Sequence, residues 1–168
     1  MAPLARLTDL ELCCNRSDED ARRYVREQHP SVGICDDVDE LLTSAELDAV
    51  VVATPIKSHA ELVRRALTAR KHVFVEKPLC TDSREAVELR DLAIANDRLL
   101  FVGHLSLYDA GIAALARILR DDPLRSGVFT WTKFGSFTES IVWNLLSHVV
   151  ATTMALTHST DVFVTNVE

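Results

Sequence analysis

Apolar residues recur along this chain in two rhythms, short continuous runs and longer stretches spaced by three and four, and their alternation predicts strands and helices in turn. Residues 10–14 form the first short run. Ala21, Tyr24 and Val25 then share one face of a helix entered at Ser17 and stopped before Pro30. Residues 31–35 read as a second strand, after which Asp37-x-x-Glu40 offers a capping box for a short helix over Leu41 and Leu42. Residues 47–53 are a continuous apolar run with three valines in succession, the pattern of a central strand buried on both faces. Ser58-x-x-Glu61 is a second capping box, opening a helix to about residue 69 with Leu62, Val63, Ala66 and Leu67 inward. The strand 72–75 follows and ends in Glu76-Lys77-Pro78. Asp82-x-x-Glu85 starts the next helix, which carries Ala86, Leu89, Leu92 and Ala93 at helical spacing, and residues 99–102 return as a strand ending in Gly103-His104. Every crossover has the length of a right-handed βαβ connection, so residues 1–103 read as an α/β domain with a doubly wound parallel sheet.

After Gly103 the rhythm changes. An amphipathic helix over about 108–120 leads through Asp121-Asp122-Pro123 to an alternating run at 128–134, a helix over about 142–157 and a strand-like run at 161–167. Helix, strand, helix and strand without parallel crossovers read as the opening of a second, α+β domain over 104–168. Two strands and two helices leave a sheet face and its edges open, so the chain is expected to stop before that domain closes.

Composition narrows the function classes. With 168 residues, 48% of them hydrophobic, the chain can bury a core as one or two domains. A net charge of −7 leaves no basic stripe to neutralise phosphates, which argues against nucleic acid or an anionic membrane as partner. Cys13, Cys14, Cys35 and Cys80 show no CxxC pairing, so neither a metal site nor a disulfide framework is indicated, and reduced thiols in the cytoplasm are expected. No signal-peptide order stands at the N-terminus, and no apolar run reaches the length of a membrane span.

The chemistry concentrates at two strand ends. Ala53-Thr54-Pro55 and Glu76-Lys77-Pro78 finish two strands on the same carboxyl edge, where open α/β sheets hold their ligands. A lone Glu-Lys-Pro is more often a surface turn with a solvated charge pair; its place beside a second proline turn makes it a candidate site.

Three segments, residues 47–55, Ser58-His59-Ala60-Glu61-Leu62 and residues 71–79, together resemble the heart of the Gfo/Idh/MocA family of oxidoreductases, named from glucose-fructose oxidoreductase and inositol dehydrogenase. His104-Leu105-Ser106-Leu107-Tyr108 and residues 142–148 resemble its sugar-nucleotide and N-acetyl-sugar dehydrogenase branches. The resemblance implies an N-terminal Rossmann domain that binds NAD or NADP, a C-terminal open-faced sheet that shapes a sugar site, and a homo-oligomer for the full-length relative. It also implies what is missing. The family opens with a strand and a G-x-G-x-x-G turn, whereas this chain has only Gly33, Gly103, Gly111, Gly127 and Gly135, none spaced to make that fingerprint. The chain therefore reads as an internal fragment whose Rossmann-like sheet lacks its first strand, and as the start only of the second domain.

Site residues follow from the same resemblance. Oxidising a secondary alcohol sends a hydride to the nicotinamide and a proton to a base. His148 matches the family's histidine and is the candidate base. Lys77 matches the lysine beside the nicotinamide ribose and substrate hydroxyl, where its charge favours a developing alkoxide. Asn144, four residues before His148, stands where family members commonly carry Asp, and Ala151 replaces a further aspartate. Taken alone, a helical His is more often a satisfied polar residue than a catalyst. For the cofactor, Asn15 and Arg16 occupy the place where an acid would grip the ribose hydroxyls, a pair that tolerates a 2′-phosphate; a helix-capping Asn with a solvated Arg is an equal alternative. Thr54, Pro55, His59 and Glu76 match the turns that flank the dinucleotide, although Ser58 and His59 could serve only as helix cap and first turn. Arg70 replaces the glycine usual before Lys71-His72-Val73, so the helix end is expected to find another geometry. The function so implied is hydride transfer between a sugar or sugar-nucleotide hydroxyl and NAD or NADP. The alternative is a non-catalytic Rossmann-like remnant with impaired nucleotide binding.

Overall fold

A computed structural model of the chain describes residues 9–15, 18–121, 124, 126–130, 140 and 142–160. Strand and helix alternate as the hydrophobic rhythm predicts: β1 (Leu12–Cys14), α1 (Glu19–Gln28), β2 (Gly33–Cys35), α2 (Val38–Thr43), β3 (Ala49–Val52), α3 (His59–Thr68), β4 (His72–Glu76), α4 (Ser83–Ala95) and β5 (Leu100–Gly103). All ladders are parallel. β1 pairs with β2, with Cys14 opposite Cys35, and a separate ladder runs β3–β4–β5, with Val51, Phe74 and Phe101 in one row.

Aspartate caps set the helix starts, because a short carboxylate can fold back onto the orphan amides of the first turn. Asp37 accepts from the Asp39 amide, Asp82 from those of Arg84 and Glu85, as the sequence predicts. For α1 the cap is Asp18, whose Oδ1 accepts from the Ala21 amide at 2.9 Å; Ser17, the expected entry residue, lies outside the described residues. The expected Ser58 capping box does not form. A 3₁₀ turn, Ile56–Ser58, precedes α3 and puts Ser58 in near-helical geometry (φ −102°, ψ −7°), so its hydroxyl turns back to Thr54 Oγ1 and the Pro55 carbonyl, both at 2.8 Å.

The core lies between the three-stranded ladder and the pair α3–α4. Val50, Val52, Val73 and Val75 point from one face of the ladder into Val63, Ala66, Leu67, Leu89 and Ala93. On the opposite face Val51 and Phe101 are 44% and 42% exposed, and Phe74 stacks on Phe101 with ring centroids 5.4 Å apart. This corrects the reading of 47–53 as a strand buried on both faces: among the described residues β3 is the edge of its ladder, and helices cover one face only.

Arg70 corrects a second expectation. It adopts the left-handed conformation itself (φ 58°), with the Arg70 amide bonded to the Leu67 carbonyl and the Lys71 amide to that of Ala66, which is the turn a glycine would make. The Arg98 guanidinium donates to the Arg70 carbonyl and helps to hold the turn. Behind it the buried Lys71 ammonium donates to the Ser44 and Leu47 carbonyls, both at 2.6 Å, tying the end of α2 to the approach to β3. Relief of the left-handed strain, less the entropy that glycine loses, makes Arg70→Gly stabilising by about 0.5–1 kcal/mol. Urea unfolding of the two chains checks this, and a less stable glycine variant would mean that the side chain itself holds the turn.

Beyond β5 a 3₁₀ turn (Leu105–Tyr108) leads to α5 (Ala110–Ile118), capped by Asp109. Val128–Thr130 carry no strand; the rest of the expected run at 128–134, and that at 161–167, lie outside the described residues. The expected helix over 142–157 begins as a wide π turn (Val142–Leu146) and continues as α6 (Ser147–Thr157), which packs on α5 and on the 3₁₀ turn after β5. Among the described residues no helix is long and apolar enough to cross a membrane.

Candidate functional site

The carboxyl ends of β3, β4 and β5 lie side by side and carry Thr54-Pro55, Lys77-Pro78 and His104 in turn. Glu76 is the last residue of β4, and its Oε2 accepts from the Lys77 amide at 3.3 Å. The Lys77 side chain leaves that neighbour and crosses to the π turn, where its Nζ donates to the Asn144 carbonyl at 2.9 Å and to Asn144 Oδ1 at 3.2 Å. A solvated Glu-Lys pair therefore does not describe this turn. Wide π turns displace the regular helical ladder and recur at functional sites; here one presents both a backbone and a side-chain oxygen of the same residue to a half-buried ammonium.

His148 lies on α6 one turn beyond Asn144, and its Nδ1 is 3.5 Å from Ser106 Oγ on the 3₁₀ turn after β5. Lys77, from the turn after β4, thus meets Asn144 of the π turn, and His148 of α6 lies against the 3₁₀ turn after β5 at the same end of the sheet. His104 and Ser106 belong to a segment that carries the family resemblance, but neither is named there as a site residue, because a serine and a histidine in a turn carry no spacing signal of their own. Burial, and then the Lys77 charge, hold His104 below the ordinary imidazole value of 6.5, and among the described residues its buried Nδ1 has no hydrogen-bond partner. The folded chain therefore favours neutral His104. Its contribution to stability is fully present above the unfolded value of about 6.5 and is lost as pH falls through the lower folded value. His104→Gln should flatten the decline in unfolding free energy from about pH 7 to about pH 5; parallel curves for the two chains would show that the imidazole stays outside this balance.

Thr54, Pro55 and His59 form the neighbouring turn. Thr54 and Pro55 are exposed, whereas His59 is 2% exposed, with Nε2 2.7 Å from the Thr54 carbonyl and Nδ1 2.8 Å from that of Pro78. Asn15 follows β1, in the other ladder; its Oδ1 accepts from the Asp18 amide at 3.1 Å, and its carbonyl accepts from Arg22 at 2.9 Å. Arg16 lies outside the described residues. Among the described residues no cluster of three His, Cys, Asp or Glu side chains could hold a metal ion.

The parallel strands and their crossover helices place the chain in the α/β class, and its relatives give the family. The chain belongs to the Gfo/Idh/MocA oxidoreductases, whose NAD-binding Rossmann-fold model matches residues 3–104. It is 36% identical over 102 residues to an inositol 2-dehydrogenase of Gluconacetobacter diazotrophicus, covering 60% of this chain and 30% of that one. An inositol 2-dehydrogenase of Paracoccus denitrificans is 35% identical over 123 residues, 71% of this chain and 34% of its own. Among solved structures, a 3-ketoreductase from Actinomadura kijaniata in complex with NADP and TDP-benzene matches with a TM-score of 0.59 at 31% identity, over 66% of this chain and 34% of that one. A provisionally assigned oxidoreductase from Bacteroides fragilis matches with a TM-score of 0.71 at 30% identity, over 88% and 43%. The chain spans about a third of the length of these curated relatives.

Proposed function

We propose that this chain forms the nicotinamide end of a site that passes a hydride between a ring hydroxyl of a sugar, sugar-nucleotide or inositol and NAD or NADP. The observation that carries the reading is the contact of Lys77 with Asn144, which brings the family's lysine to the turn that leads into His148. Residues 1–103 are read as the dinucleotide-binding unit and 104–168 as the start of the substrate-facing unit. The relatives' names support the substrate class: two are inositol dehydrogenases, and a ketoreductase was solved with NADP and a TDP compound.

The residues present fit one end of a dinucleotide. Exposed Thr54-Pro55 and the Lys77 ammonium line the carboxyl edge where a nicotinamide ribose would lie, while the five dispersed glycines offer no close-approach loop for a pyrophosphate. When bound, the nicotinamide supplies the hydride acceptor or donor. Lys77 donates a hydrogen bond to the substrate oxygen as its charge grows, and Asn144 holds the ammonium ready for it. His148 takes the hydroxyl proton, and Ser106, whose Oγ lies 3.5 Å from its Nδ1, helps to orient the ring. Asn144 also favours the second, non-catalytic reading, since an amide cannot stabilise an imidazolium by charge.

The test is an NMR titration of the 168-residue chain with NADH and with NADPH. Without a phosphate-binding loop the affinity is expected to be weaker than micromolar, on the order of millimolar, since the amide donors and helix dipole that neutralise the pyrophosphate are missing. Shifts confined to Thr54, Lys77 and neighbouring amides support the site, and the preferred nucleotide identifies the cofactor. Saturation without shifts at these residues would leave the non-catalytic reading.

A further inference from the structure

We infer that His59 is the positioning residue of this rim: its imidazole clamps the turn after β3 to the turn after β4, and through Pro78 it fixes where Lys77 stands. The ring is 2% exposed, and its two nitrogens face two backbone carbonyls from different turns, Thr54 at 2.7 Å and Pro78 at 2.8 Å. These carbonyls belong to the segments that carry the candidate groups, Thr54 itself and the residue after Lys77. Among the described residues neither turn belongs to a ladder, because β3 ends at Val52 and β4 at Glu76. The Thr54 and Pro78 carbonyls are acceptors, so only nitrogens that carry protons can satisfy them. A neutral imidazole has one N–H and serves one carbonyl at a time, whereas a ring protonated on both nitrogens donates to both. Both ring nitrogens are turned to these two carbonyls inside the fold, so the effect of the ring on a ligand passes through the two turns.

The side chain can act this way because of where α3 begins. The 3₁₀ turn Ile56–Ser58 brings the chain round so that His59, the first residue of α3, drops beneath both turns, while Ser58 Oγ closes the same loop on Thr54 Oγ1 at 2.8 Å. The importance of this placement for a ligand rests on the reading of Lys77 given above; the clamp itself does not.

The purified chain tests the clamp without any dinucleotide. In the wild type, a through-hydrogen-bond coupling from a His59 ring N–H to the Thr54 or Pro78 carbonyl carbon is expected, and coupling to neither would overturn the inference. His59→Phe keeps most of the volume and removes every donor; His59→Gln keeps an N–H donor and remains informative if the phenylalanine variant does not fold. Acetylation of Lys77 by a succinimidyl ester, read by peptide mass spectrometry, is expected to accelerate about tenfold in His59→Phe, the population change that loss of one or two such hydrogen bonds gives. His59→Gln should fall between. Amide exchange at Ile56 and Leu79 should quicken while that at Val73 and Val75 stays at the wild-type rate. Unchanged Lys77 acetylation, or an equal rise in exchange at Val73 and Val75, would reduce His59 to an ordinary core residue. Titration of the wild type with NADPH separates the two questions: an intact clamp without rim shifts rejects the dinucleotide site and keeps the positioning role.

Discussion

If the proposed function holds, Lys77→Ala in a full-length protein that contains this chain is expected to lower kcat for nicotinamide-dependent alcohol oxidation by roughly a hundredfold, about 2.7 kcal/mol of transition-state stabilisation. The magnitude follows from the geometry. The ammonium is half-buried at the end of β4 and already oriented by two oxygens of Asn144, at 2.9 and 3.2 Å, so little reorganisation is needed when charge develops on the substrate oxygen. His148→Ala should act on the same scale as loss of a general base. Asn144→Asp should raise activity or move its pH profile upward, because a carboxylate favours both the ammonium and a protonated imidazole one turn away. Separate kcat and KM values decide among these roles. A Lys77→Ala loss confined to KM would make Lys77 a binding residue, and unchanged kinetics in all three variants would remove the assignment.

Much of the sheet was legible because its signals are local. The runs at β3, β4 and β5 stand between polar turns, and Asp37 and Asp82 cap the helices that their spacing announces. What stayed hidden depends on neighbours. Three valines in succession say that residues 50–52 are apolar, but not that helices cover one side and leave Val51 open. Arg70 shows the converse: propensity reserves that turn for glycine, yet tertiary bonds at Lys71 and Arg98 hold an arginine there. The family resemblance named Lys77, Asn144 and His148 and set the last two one helical turn apart, while the Lys77–Asn144 contact joins residues 67 positions apart and depends on a π turn that no periodicity announces. His59 carried two sequence readings, cofactor contact and first helical turn. Its ring is spent on two carbonyls, an arrangement visible only when two strand ends are brought side by side.

The largest stability losses are expected from Leu67→Ala and Leu89→Ala, each about 2–5 kcal/mol. Both side chains are fully buried, Leu67 near the end of α3 and Leu89 in the middle of α4, and both belong to the cluster that receives Val50, Val52, Val73 and Val75 from the ladder. Truncation there removes the apolar surface that the helices and the sheet share. The cavity left behind collapses poorly, because Val63 and Ala66 come from the same stiff helix and cannot move in independently. Val51 provides the comparison within one fold: it lies on the opposite face of the ladder and is 44% exposed, so Val51→Ala should cost well under half as much. Urea midpoints and slopes for the three variants measure the difference. If Leu67→Ala and Val51→Ala lowered the midpoint equally, α3 and α4 could not be packed on this sheet as described, and the rim that they hold in place would lose its support.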